Sequence, residues 1–172
     1  MGTKILIYIL NFVQYASLMM WLGSLMVILF VTKPKMTIGN FKDEFTVDVF
    51  SNGLRKFLRD SLNKLELLIL LAISLIWISI LLYIATISSN PFTNRYFLIY
   101  LALIMVLTLV SLINIFGFSN VIKKTERNII IFRQEDIRNQ LIKKLSNYQY
   151  GYYALSFLSL IIGLIILFIK QL

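Results

Sequence analysis

Four stretches of this chain are apolar over lengths that can cross the roughly 30 Å hydrocarbon core of a bilayer, a distance that takes about 20 helical residues. They cover residues 5–31, 65–87, 96–120 and 150–169, to within a residue or two at each end. Lipid offers the backbone no hydrogen-bond partner, so each stretch must be a helix that satisfies its own peptide groups. Irregular chain is thereby confined to the segments between them. The first stretch stops at Lys33-Pro34-Lys35. The second stops at Ser88-Ser89-Asn90-Pro91, polar capping residues followed by one that cannot continue a helix. The third gives way to Lys123 and Lys124, and the fourth closes at Lys170. The pattern predicts an all-α fold: a polytopic integral membrane four-helix bundle, built as a single transmembrane domain over residues 1–172 with basic loops at 32–64 and 121–149. Four crossings place both ends of the chain on one side.

Composition agrees. The residues are 59% hydrophobic and 15% charged, against roughly 45–50% and about 25% in an ordinary soluble domain. Cys and His are absent. Disulfides, zinc sites, thiolate nucleophiles, imidazole bases and the usual haem ligands are absent with them, so the chain is expected to be no enzyme and to hold no cofactor and no metal.

Orientation follows from the basic residues, because cytoplasmic loops retain Lys and Arg during insertion. Of the 17, fourteen lie in the two long loops and three at Lys4, Arg95 and Lys170. The loops are therefore expected in the cytoplasm or matrix and both termini outside, in a prokaryotic plasma membrane or a mitochondrial inner membrane. The first span is too long for a signal h-region and is followed by no small-residue cleavage pattern, so it reads as a mature helix. Leu6 stands where myristoylation wants Ser or Thr.

The net charge of +9 would suit nucleic acid only if the cations shared an exposed face with aromatic platforms. They sit at membrane ends instead, which points to anionic lipid headgroups and away from nucleic acid. Val47, Phe50, Leu54, Phe57, Leu58, Ser61, Leu62 and Leu65 recur at helical spacing, opposite Arg55, Lys56, Arg59 and Asp60. They predict an amphipathic extension leading into the second span. Beyond the apolar knot Ile129-Ile130-Ile131-Phe132, Glu135 and Asp136 suit a helix start. Ile137, Leu141, Leu145 and Tyr148 then carry a stripe down into the fourth span.

Polar residues inside the spans are the candidates for function, since lipid leaves them unsatisfied. Asn11, Gln14, Ser17 and Ser24 lie along one side of the first helix with Trp21, and Thr108, Ser111 and Asn114 form a ridge on the third. Ala72, Ser79 and Thr86 recur at sevenfold spacing on the second. Helix-to-helix contact is the first expectation for all of them, with the wall of a solute path as the alternative. Glu66 is the only carboxylate near a span and is expected at its cytoplasmic edge, whereas a proton relay wants acids at the midplane. Tyr148, Tyr150, Tyr152 and Tyr153 read as an interfacial aromatic belt. Two thioethers could hold Cu(I) only if Met19 or Met26 faced Met105 across the bundle.

Leu18-Met19-Met20-Trp21-Leu22-Gly23-Ser24-Leu25, upstream of Pro34, resembles the Trp-(Leu/Ile)-Gly signature in the first span of the copper-resistance-D-like superfamily. Ser156 to Ile166, with Gly163, resembles its Gly-Leu-rich final span. The resemblance implies four membrane helices with a basic amphipathic segment before the second. It also implies a His about fourteen residues before the final Gly, where this chain has Gln149. The superfamily's metal or haem ligands are thus missing. Together these features lead to the expectation of a cofactor-free accessory or structural subunit, bound to other membrane subunits of a larger complex such as a respiratory or other membrane oxidase. A small permease for a metal or neutral solute is the alternative.

Overall fold

A computed structural model of the chain describes residues 2–31, 44–87, 91–131 and 135–171. Helix α1 is Gly2–Val31, α2 Glu44–Thr86, α3 Arg95–Leu112, α4 Asn120–Ile131 and α5 Glu135–Gln171. A short 3-10 turn, Pro91–Thr93, precedes α3, and a seven-residue π-helical segment, Ile113–Ser119, joins α3 to α4 without a break. Among the described residues, four helical stretches are long and apolar enough to cross a membrane: Thr3–Phe30, Asp60–Thr86, Arg95–Asn128 and Gln140–Ile169. The chain is an all-α integral membrane four-helix bundle.

The helical spacing of the large apolar residues explains the packing. Leu18, Trp21, Leu22, Leu25 and Ile28 bury one stripe of α1, and Ile69, Ala72, Ile73, Ile76 and Ile80 bury the matching stripe of α2. Tyr100, Ile104 and Leu107 from α3 and Tyr152 and Ile166 from α5 complete the core. The rest of each span is apolar but outward, as Phe12, Phe30 and Phe168 show at 72%, 82% and 70% exposure. An apolar outer surface of this kind is what lipid requires. Helix α1 packs on α2 and α5, and α5 packs in turn on α3, the π-segment and α4. The cyclic order is therefore α2, α1, α5, α3, with neighbours antiparallel. Below, "terminal end" means the end where α1 begins and α5 finishes, and "basic end" the opposite one.

Local chemistry sets the helix ends and accommodates the hydroxyls. Asn94 caps α3, its Oδ1 accepting from the Tyr96 backbone N–H at 2.9 Å. Beside it, Tyr83 stacks on Phe97 at 5.9 Å and Phe92 meets the same ring edge-on at 6.0 Å, so one aromatic trio ties α2, the turn and α3 together. Ser24, Ser74, Thr86, Thr125 and Ser156 each donate to the carbonyl four residues earlier, so these hydroxyls are satisfied within their own helix.

The extensions predicted from the loops are helical. The approach to the second span is continuous with it from Glu44, and α5 does start at Glu135. Side-chain positions in the stripe from Val47 to Arg59 lie outside the described residues. Exposure bears on two further readings of particular residues. Tyr152 is only 4% exposed and its hydroxyl donates to Glu66, so it turns into the bundle and does not present itself outward as a belt residue would. Met19, Met26 and Met105 are 58%, 51% and 50% exposed and turn outward, so they do not face one another across the core.

Two glycines mark close approaches. A Cβ at Gly163 of α5 would run into the Leu22 side chain of α1, and one at Gly151 would run into the ring of Phe118 in the π-segment. These contacts also fix heights along the bundle: Leu22 lies opposite Gly163, and Phe118 opposite Gly151.

Candidate functional site

Polar side chains form a column through the bundle core, one level above another. Nearest the terminal end, Gln14 of α1 is 4% exposed and its Oε1 accepts a hydrogen bond from the Tyr100 hydroxyl of α3 at 3.2 Å. One level deeper, the Trp77 indole N–H of α2 donates to Thr108 Oγ1 of α3 at 3.1 Å. Deeper still, Asn114 Nδ2 of the π-segment donates to Ser156 Oγ of α5 at 2.7 Å. At the basic end, Glu66 of α2 is 5% exposed. Its Oε1 accepts from the Tyr152 hydroxyl of α5 at 3.1 Å and its Oε2 from Lys123 Nζ of α4 at 2.9 Å. Every level joins different helices, and the last joins three.

The lower half of the column is chemically continuous. Asn114 donates to Ser156, Ser156 donates to the backbone carbonyl of Tyr152, and Tyr152 donates to Glu66. Desolvation of the Glu66 carboxylate would be costly on its own; an ammonium and a phenol hydroxyl at bonding distance supply the compensation.

Among the described residues, four buried polar atoms are left without a partner: Trp21 Nε1, Ser111 Oγ, Asn114 Oδ1 and Ser159 Oγ. Three of them share a neighbourhood. From the Asn114–Ser156 bond, three residues back along α3 and three forward along antiparallel α5 lead to Ser111 and Ser159, one turn nearer the terminal end. Trp21 lies about a turn beyond, next to the Leu22–Gly163 contact. Ser111 and Ser159 can each donate through Oγ and Asn114 can accept through Oδ1, and none of the three atoms has a partner among the described residues. They are also bordered by a π-segment, a distortion frequent at functional sites.

The sequence-derived candidates distribute unevenly over this column. Gln14, Ser17, Ser24, Ser111 and Asn114 are buried, while Thr108 and Asn11 are half-buried. Gln14, Thr108 and Asn114 make bonds between helices, whereas Ser24 bonds only to Met20 O of its own helix. On α2, Ala72 and Ser79 are buried, and Ser79 donates to Ile76 O. Sequence reasoning missed Trp77, Ser156 and Ser159 as members of the column. It also placed Glu66 at an edge without its partners Lys123 and Tyr152. The one available signal for that trio was Glu66 itself, a lone acid beside a span.

No protein-family model, no curated protein and no solved structure matches the chain. Within the Trp21-Leu22-Gly23 motif, Trp21 and Leu22 are core residues, while a Cβ at Gly23 would meet nothing within 4 Å.

Proposed function

We propose that this chain is a cofactor-free accessory subunit of a larger membrane complex, such as a respiratory or other membrane oxidase. The observation that carries this reading is how the polar column is used: at four of its levels side chains bond one helix to another. A bundle stiffened in this way, with an outer surface of large apolar side chains, suits a body held among other membrane subunits. Extraction into polymer nanodiscs without detergent, followed by native gel and mass spectrometry, tests it. A stoichiometric membrane partner is expected; a chain that migrates alone from its own host's membrane would overturn the proposal.

Asn114→Leu probes the same reading from inside. The substitution removes one interhelical bond, worth about 1 kcal/mol in a membrane, together with the unsatisfied Asn114 Oδ1. Stability should therefore change by no more than about 1 kcal/mol, and oxygen uptake by the host membrane should be unchanged. The cluster of Ser111, Ser159 and Asn114 Oδ1 favours a second reading, a small permease for a metal or neutral solute. On that reading the same variant would fold normally and lose transport.

The proposed orientation puts the basic end in the cytoplasm or matrix and both termini outside, supported by the distribution of Lys and Arg. Single cysteines at Asn52 and Asn139 should resist an impermeant thiol reagent added outside intact cells and react once the membrane is opened. Labelling of both from outside would reverse the orientation.

A further inference from the structure

At the basic end, an open groove of about 490 Å³ runs along α4, lined by Asn120, Lys123, Lys124, Arg127 and Asn128. These residues follow the spacing that brings side chains onto one flank of a helix. Three cations and two amides offer donors, and among the described residues no carboxylate lines the groove. Lys123 is held at one edge by its 2.9 Å bond to Glu66, which compensates its charge. The uncompensated positive charge facing the groove comes from Lys124 and Arg127, both exposed. Arg brings a planar fork suited to phosphate oxygens and Lys a mobile point charge.

We infer that this groove binds the phosphate of an anionic phospholipid headgroup. Phosphate chemistry follows from the donors, and the lipid source follows from what adjoins them. Ile113, Phe116 and Val121, in the π-segment and first turn of α4, are exposed at 55%, 59% and 38%. Exposed apolar side chains thus lie on the membrane side of the cations. A phospholipid presents the same sequence of chemistry, acyl chains and then phosphate, whereas a soluble phosphate uses only the cationic half. Along the sequence the groove begins at Asn120, where the apolar run gives way to Lys123 and Lys124, and basic residues that follow an apolar run are suited to headgroups. This inference does not depend on the proposed accessory role.

The test uses the purified full chain and native mass spectrometry, with titration of phosphatidylglycerol against phosphatidylcholine. The wild type should bind phosphatidylglycerol in preference. Lys124→Gln/Arg127→Gln should weaken that binding about thirtyfold, as expected for two cations at a headgroup surface. Binding of phosphatidylcholine should not change. Each single variant should show about a fivefold loss, which keeps the test open if the double variant fails to fold. Arg95→Gln, at the terminal end, should behave as wild type. Unaltered phosphatidylglycerol affinity in the variants would overturn the inference. So would displacement of the lipid by inorganic phosphate at equal concentration, which would assign the groove to a soluble anion.

Discussion

Lys123→Met should destabilise the bundle by about 3 kcal/mol, the lower part of the range for breaking a buried ion pair, because 28% of the Lys123 side chain still reaches solvent. The loss arises less from the missing attraction than from what remains. Glu66 would keep its buried position and its bond to Tyr152 but have no cation, so its charge would stay desolvated without compensation. Glu66→Leu in the same background should therefore recover part of the stability, since an apolar pair needs no compensation, less what the buried Tyr152 hydroxyl loses with its acceptor. Thermal or detergent unfolding of the single and double variants measures the cycle. A loss below about 0.5 kcal/mol for Lys123→Met would mean that the pair behaves as an exposed one.

The second large effect concerns the glycines of α5. Gly163→Leu should cost about 3 kcal/mol and Gly151→Leu about 2 kcal/mol, within the range for overpacking a filled site. Leu22, opposite Gly163, is itself 5% exposed and has little space into which to retreat. Phe118, opposite Gly151, is half-buried and can give way more easily. Gly23→Ala is the contrasting case. Its Cβ would enter open space, so the variant should gain up to about 1 kcal/mol from helix propensity alone. Unfolding of the three variants side by side decides the matter, and equal behaviour at Gly23 and Gly163 would refute the proposed α1–α5 packing.

The fold was legible because its cause is one-dimensional: a run of apolar residues long enough to cross lipid has one backbone solution. The α1 and α3 halves of the column were legible for a related reason, since Gln14, Ser17, Ser111 and Asn114 stand out against apolar neighbours. Ser156 and Ser159 did not stand out, because serine in a membrane helix is readily satisfied by its own backbone and carries little information alone. The trio of Glu66, Lys123 and Tyr152 was hidden more deeply. Charges and tyrosines are ordinary where spans end, and these partners are 57 and 86 residues from Glu66. Their meeting depends on helix arrangement, and no residue pattern announced the π-segment that precedes Lys123.

That segment has a consequence for how the third membrane crossing is addressed. A π-turn holds one more residue than an α-turn needs, and one residue of surplus is about 100° of rotation. The polypeptide from Arg95 to Ile131 is therefore one rod with two compasses. Below the offset, Tyr100 and Thr108 point to α1 and α2; above it, Lys123 points to Glu66 while Lys124 and Arg127 line the groove along α4. Loss of a single residue between Ile113 and Ser119 would leave the rod unbroken and almost as long, yet would swing the ammonium away from its carboxylate and the basic groove away from its flank. At this crossing, length conveys depth and phase conveys partnership, so a one-residue deletion would act on the second alone.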